Sequence, residues 1–417
     1  MDRGVRSAVG AARGWRGPAI ASTAFALSLL VVEGGARLWL GDEFVPGIVT
    51  DAPMSVCVVR DPDLGWRCRP GFRMRAIGPS LNSPVFRYSV ALNRRGLRDV
   101  DHPYEKPHGT IRIACLGDSF VWGWGVDDGE TFADRLEREL GPEVEVVNLG
   151  VPGYSTDQEL LCFLEEGKKY RPDLVLLGYV LNDAEGNLRS ANHGLPKPAL
   201  VRAGGGWRLV RPNGEGTESK WSGWRLWLLA RSAAWQLVRP PIVTGTVPNR
   251  RLCATPSAEL ERAFRTTEYQ VYSPGEIGAL TRAVSDESSP TFAALSLLRQ
   301  ACLDVGAPLI AFSLPHLHDQ YLQNPWLRPG AKARSALESG VPFRTDLTEH
   351  LEAAGCRLGF RVLSVDGALL EAVRRGRNLN VGDGHLDAEG HRVIGEELAR
   401  QLLPAVEALR AGGEGAR

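Results

Sequence analysis

The run Ile111-Arg112-Ile113-Ala114-Cys115-Leu116 is apolar enough for a buried strand and is cut off at once by Gly117-Asp118-Ser119-Phe120. Small and polar residues at that point end a strand. They leave a serine at its carboxyl end, where open α/β sheets place their ligand crevice. Near the far end of the chain Asp383-Gly384-His385 precedes a helical run. A serine, a histidine and a carboxylate are the parts of a nucleophile activated by a base that an acid orients.

The same pattern recurs between these ends. Val144-Glu145-Val146-Val147-Asn148-Leu149 is a second strand candidate, followed by Gly150-Val151-Pro152-Gly153-Tyr154-Ser155-Thr156. Leu174-Val175-Leu176-Leu177-Gly178-Tyr179-Val180-Leu181 is a third and ends in Asn182-Asp183. A fourth covers 308–314, before Pro315, His316 and His318, and a fifth covers 361–365, before Asp366. Helical patterns separate them at 131–140, from Ser155 or Thr156 onward, at 291–305, at 344–354 and at 387–409. Ser155 with Gln158 predicts a capping box, and Pro404 is expected to bend or break the last helix. Strands alternating with helices predict an α/β chain with a parallel sheet. His316 and His318 read as substrate-loop or surface residues, Asp366 as a helix N-cap or a rival acid, and His391 as structural.

Four polar clusters, at Ser119, Gly153, Asn182 and His385, would share one sheet edge. As a set they resemble the SGNH (GDSL-type) hydrolase superfamily, whose blocks centre on Ser, Gly, Asn and His. The resemblance covers roughly residues 110–400. It implies a three-layer α/β/α sandwich with a five-stranded parallel sheet in flavodoxin-like order. It implies Ser119 as nucleophile, with oxyanion donors in the Ser119 and Gly153 backbone N–H groups and the Asn182 amide. His385 would be the base and Asp383 its partner. The first block reads Gly-Asp-Ser-Phe, Val180 stands where the third block usually has glycine, and acid and base are spaced D-x-H rather than D-x-x-H. That shorter spacing is similar to a membrane-anchored or exported subgroup linked to acylated surface polysaccharides. Asp61-Pro62-Asp63-Leu64-Gly65-Trp66 and Leu92-Asn93-Arg94-Arg95-Gly96-Leu97-Arg98-Asp99 resemble its lead-in.

Lys+Arg and Asp+Glu both number 49, so no net field favours a nucleic-acid partner. Residues 1–40 read as a signal anchor or signal peptide: Arg3, Arg6, Arg13 and Arg16 precede an uncharged run from Gly17 to Val32. Arginines ahead of an apolar run stay inside, which would put the remaining chain across the membrane, anchored or, after cleavage, secreted. Residues 41–109 read as an irregular β-containing lead-in and 110–410 as the hydrolase-like domain. A Trp-rich insertion at about 187–288 opens as loop around Gly204-Gly205-Gly206 and continues as an amphipathic helix near 222–237. Trp224 and Trp227 share one face of it. That face either packs on the domain or serves as a glycan platform or membrane contact. Trp224, Trp227 and Asp118 are the candidate substrate-binding residues. Seven cysteines leave at least one unpaired, and Cys57 and Cys68 are close enough in sequence to pair in an oxidising compartment.

No zinc-ligand spacing and no Gly-x-Gly-x-x-Gly or Walker-type loop follows the first strand, so neither metal nor cofactor is expected. The expected reaction is acyl-enzyme hydrolysis of an ester, with O-acetyl groups of a cell-envelope carbohydrate as the substrate that the resemblance suggests. O-acyl transfer to a surface polysaccharide and non-catalytic glycan binding are the alternatives. The intact Ser119, Asn182 and His385 argue against the last.

Overall fold

Alternate residues of the core strands are buried in opposite directions, as a sheet covered on both faces requires. The computed structural model describes residues 16–40, 48–50, 53–78, 86–192, 195–212, 274–314, 344–377, 379 and 384–414. Within them Ile111–Gly117 (β1), Val144–Asn148 (β2), Leu174–Tyr179 (β3), Leu309–Ser313 (β4) and Arg361–Leu363 (β5) form one sheet in the order β5-β4-β3-β1-β2. All its neighbours are parallel. The helices that position the site or cover the sheet are Ser119–Trp122 (α1), Phe132–Leu140 (α2), Thr156–Glu165 (α3), Leu181–Gly186 (α4), Pro274–Ser285 (α5), Pro290–Asp304 (α6), Asp346–Leu358 (α7), Asp366–Arg374 (α8) and Ala388–Glu414 (α9).

Ala114, Leu116, Val175, Leu177 and Ala311 join one core layer with Phe163 of α3, Leu298 of α6 and Leu351 of α7. Ile113, Cys115, Leu174, Leu176 and Phe312 join the other with Leu136 of α2, Leu369 of α8 and Leu398 of α9. The chain is thus a three-layer α/β/α sandwich with a five-stranded parallel sheet, in flavodoxin-like strand order. From β1 the chain runs to β2 on one side and then crosses to β3 on the other. The topological switch therefore lies at the carboxyl ends of β1 and β3, where such sheets bind ligands. Ser119 follows β1 and Asn182 follows β3.

The lead-in holds a three-stranded sheet, Ile48–Thr50, Arg73–Gly78 and Phe86–Ala91, and a hairpin of Val58–Asp61 with Gly65–Cys68. Trp66, Met74 and Tyr88 share a core layer with the α3 side of the main sheet. Cys57 and Cys68 are free, buried thiols. The Cys57 thiol beside it and burial push Cys68 well above the usual thiol range. Ahead of the lead-in, Arg16–Leu40 is one helix of 25 residues, whose window Ala21–Leu38 is long and apolar enough to cross a membrane. Its two charges in that window, Glu33 and Arg37, pair one turn apart at 2.9 Å.

Several expectations are corrected. Ser155 and Gln158 make no capping box: Ser155 Oγ donates to Asp157, and Gln158 Nε2 donates to Leu64 O of the lead-in at 2.8 Å. The capping box belongs instead to Thr131 and Asp134 at the start of α2. Pro404 does not break α9, which runs on to Glu414. Leu398, Leu402 and Val406 are buried on either side of the proline and keep the helix on the sheet layer. Gly204-Gly205 is the two-residue turn of a hairpin, Ala199–Ala203 with Gly206–Val210, and both glycines take positive φ as a tight hairpin turn demands. The expected Trp224/Trp227 helix lies outside the described residues, as do His316 and His318.

Candidate active site

Between β1 and α1 the backbone turns sharply. Gly117 has φ of +156°, and a Cβ there would meet Val121 Cγ2 at 2.1 Å and Gly178 O at 2.9 Å. Only glycine fits that close approach. Asp118 caps α1: its Oδ1 accepts from Phe120 N at 2.9 Å. Ser119 is thereby fixed as the first residue of a four-residue helix at the head of the crevice. Its Oγ lies 2.8 Å from His385 Nε2. These two residues are separated by 266 positions in the chain.

Two residues after the histidine, Asp387 fixes the start of α9. Asp387 Oδ1 accepts from Gly390 N at 2.9 Å, and Asp387 N donates to Leu379 O at 2.9 Å. Burial raises the Asp387 carboxyl to about 6. Two aromatic rings lie against the imidazole. Phe120 lies at 4.7 Å between centroids and 34°, and Trp124 is stacked at 5.4 Å and 28°.

Asn182 reaches across the switch point. Its Nδ2 donates to Asp118 Oδ2 at 2.8 Å, and the same oxygen stands 3.5 Å from Ser119 Oγ. Asp118, expected at the substrate, is instead fully buried, and its oxygens serve Phe120, Asn182 and Ser119. Burial raises its carboxyl, against the hydrogen bond from Asn182. The loop after β2 packs directly on the Gly117–Ser119 turn. Val151 N donates to Gly117 O at 3.1 Å, and a Cβ on Gly150 would strike Trp122 N at 2.4 Å. Gly153 has φ of +79°, accepts from Asn192 Nδ2 at 3.0 Å through its carbonyl, and its amide donates to no described residue.

Residues 115–268 match the model of the GDSL-like lipase/acylhydrolase family. The chain carries a GDSL-like acylhydrolase domain. It is accordingly a hydrolase of ester bonds. The match takes in Ser119, Gly153 and Asn182, and His385 lies beyond it. No curated protein matches the sequence. Similar solved structures include a lipase/acylhydrolase from Enterococcus faecalis, at 14% identity over 71% of this chain and 97% of that one, TM-score 0.32. They also include a carbohydrate acetylesterase from Sinorhizobium meliloti, at 11% identity over 71% and 100%, TM-score 0.33. An aryl esterase from M. smegmatis is 14% identical over 70% and 98%, TM-score 0.33. At such scores the fold assignment rests on this chain's own strand order.

Asp383, the acid that the resemblance implies, lies outside the described residues. Asp366 neither caps its own helix nor turns toward His385. Val365 is the N-cap of α8, and Asp366 Oδ2 accepts from Thr345 N at 2.7 Å and Thr348 Oγ1 at 2.6 Å, tying α8 to the start of α7. His391 is structural: its Nδ1 accepts from Phe132 N at 3.0 Å, and its ring stacks on Phe132 at 5.8 Å and 11°. Burial drives its pKa down to about 3, with Arg98 and His385 adding to the effect.

Three groups around Ser119 and its neighbouring loops had no motif of their own. Asn148 donates to Val121 O and accepts from Gly150 N, both at 3.0 Å, lacing the two loops together. Trp66 donates to Pro152 O at 3.0 Å and its carbonyl accepts from Tyr154 OH at 2.6 Å, so the lead-in braces the Gly153 loop from both sides. Arg98 grips the loop after α1 in the same way. The lead-in segments that carry Trp66 and Arg98 were the one available signal. Behind the centre, Asp157 pairs with Lys197 with both side chains fully buried. Burial holds Glu159 and Asp183 well above the usual carboxylate range.

Proposed function

We propose that this chain is a serine esterase working through an acyl-enzyme on Ser119. The observation that carries the reading is the 2.8 Å approach of His385 Nε2 to Ser119 Oγ, within reach for proton transfer. His385 takes the serine proton as Oγ attacks the ester carbonyl, and it returns that proton to the departing alkoxide. Water then repeats the sequence against the acyl-enzyme. Asp383 orients the imidazole in this scheme. The oxyanion receives the backbone N–H groups of Ser119 and Gly153 and one N–H of Asn182. An amide nitrogen has two N–H groups. Asp118 takes one of those on Asn182 and sets the direction of the other.

The substrate we propose is an O-acetyl ester of a cell-envelope carbohydrate, with the chain held at a membrane by Arg16–Leu40 and its catalytic domain outside the cytoplasm. Support comes from the apolar helix, the arginines ahead of it and the resemblance of the D-x-H block to exported relatives. The lead-in, the catalytic domain and the Trp-bearing insertion with Trp224 and Trp227 are the proposed divisions of the rest. An activity screen on p-nitrophenyl acetate and acetylated glycans, with and without a carbohydrate acceptor, tests the reading. Release of free acetate identifies an esterase. Acceptor-dependent transfer with little free acetate would make the chain an O-acyltransferase, and no turnover of any ester would refute both. Protease accessibility in intact spheroplasts tests the topology, and a catalytic domain shielded in the cytoplasm would refute it.

A further inference from the structure

We propose that Trp124 is a positioning residue for the base, and that Arg98 of the lead-in holds it in place. The inference rests on the acyl-enzyme reading of Ser119 and His385. Trp124 stacks on the His385 imidazole at 5.4 Å and 28°, and Phe120 also lies against that ring. Its backbone is tied to the nucleophile itself, Trp124 N donating to Ser119 O at 2.9 Å. One residue thus touches the base through its ring and the serine through its amide.

The loop bearing Trp124 is clamped from the lead-in. The Arg98 side chain is 2% exposed. Its guanidinium donates to the carbonyls of Gly123, of Val126 at 2.5 Å and of Ser89 at 3.2 Å, and to Asp128 Oδ1 at 3.2 Å. It also lies over the Trp122 ring at 4.9 Å. A buried cation whose fork is spent on loop carbonyls resists movement, because shifting the loop would leave the charge unpaired. Trp124 therefore meets the imidazole on a fixed platform, further backed by Trp122 at 6.0 Å and Tyr88 at 6.3 Å.

Two consequences follow for catalysis. The ring keeps Nε2 aimed at Ser119 Oγ, and misaimed catalytic groups lose rate steeply. Its π face also lies against a group that becomes cationic only when the serine proton has moved, and aromatic faces attract cations. Both effects act on the transition state more than on substrate binding, so their loss lowers kcat rather than raising KM.

The test uses the full-length chain in detergent, with p-nitrophenyl acetate turnover, fluorophosphonate labelling rate and thermal midpoint read together. Trp124→Ala is expected to lower kcat about 3- to 30-fold, with KM moving less than about threefold and the midpoint little changed. Trp124→Phe, which keeps an aromatic face, is expected to recover kcat to within about threefold of wild type. Arg98→Lys keeps the charge and loses the fork, and it is expected to lower kcat in the same sense. Should that variant fail to fold, the two Trp124 variants decide alone. Wild-type kcat in Trp124→Ala, an equal loss in Trp124→Phe, or a change confined to KM overturns the inference. Ser119→Ala separates the two levels. If it still labels, the acyl-enzyme reading falls; if it does not label while Trp124→Ala labels at the wild-type rate, only the positioning role falls.

Discussion

Replacing His391 by leucine separates a structural histidine from a catalytic one and puts a number on the difference. His391 is 1% exposed, and burial lowers its pKa from 6.5 to about 3. The folded state therefore keeps the ring neutral where the unfolded chain protonates it. A lowered histidine pKa gives stability that is present above 6.5 and is lost as pH falls below that value. At 1.36 kcal/mol per pH unit, the loss attributable to His391 between pH 8 and pH 5 is about 2 kcal/mol. Asp387 works in the opposite direction, since its raised pKa of about 6 favours the folded state as pH falls through that value. The comparison must therefore be made between wild type and variant, in which the Asp387 contribution cancels. His391→Leu also leaves the Phe132 amide without its acceptor, at a cost of about 1–3 kcal/mol at every pH. Denaturant unfolding of both proteins at pH 8 and pH 5 gives the result. The variant is expected to be the less stable at pH 8 and to close about 2 kcal/mol of that gap at pH 5, with turnover per folded molecule preserved. An unchanged gap, or turnover lost as completely as in His385→Ala, would refute the reasoning.

Asn182→Ala is expected to cost about 2.7–4 kcal/mol of barrier, seen as a fall in kcat with little change in KM, if its amide serves the oxyanion. Asp383→Asn should reduce turnover less than His385→Ala does, because the acid orients the imidazole without carrying the proton. Asp366→Asn should instead lower the unfolding midpoint, since its carboxylate holds Thr345 and Thr348; turnover per folded molecule then stays near wild type, and the reverse pattern would exchange the two roles. Trp224 and Trp227 replaced together by alanine are expected to raise KM for a polymeric acetylated glycan while sparing p-nitrophenyl acetate. A joint loss of stability and of both activities would mean that the segment only packs.

The parallel sheet was legible because its strands are buried on both faces and so read as near-continuous apolar runs. The polar clusters after β1 and β3 were legible because each stops such a run abruptly. What the pattern could not show is contact between distant segments. Gln158 looked like half of a capping box from local spacing, but its side chain is drawn to Leu64 O, 94 residues earlier. Asp366 followed a strand as an acid might, yet Thr345 and Thr348 claim its oxygen. Asp118 sat beside Ser119 and read as a substrate contact, but it is fully buried with three partners. Trp124 carried no motif and Arg98 only the lead-in resemblance, because a ring stacked on an imidazole and a guanidinium wrapped by carbonyls depend on where separate loops meet. Pro404 was read by the rule for isolated helices, and the buried residues around it outweigh the lost hydrogen bond.

The central claim is that Ser119, activated by His385, is the nucleophile. The most direct measurement is fluorophosphonate labelling of the wild-type chain followed by peptide mapping of the adduct. The account predicts a single adduct on Ser119, absent in Ser119→Ala and formed at least about 100-fold more slowly in His385→Ala, the scale of general-base catalysis. An adduct on another residue, or undiminished labelling in Ser119→Ala, would contradict it.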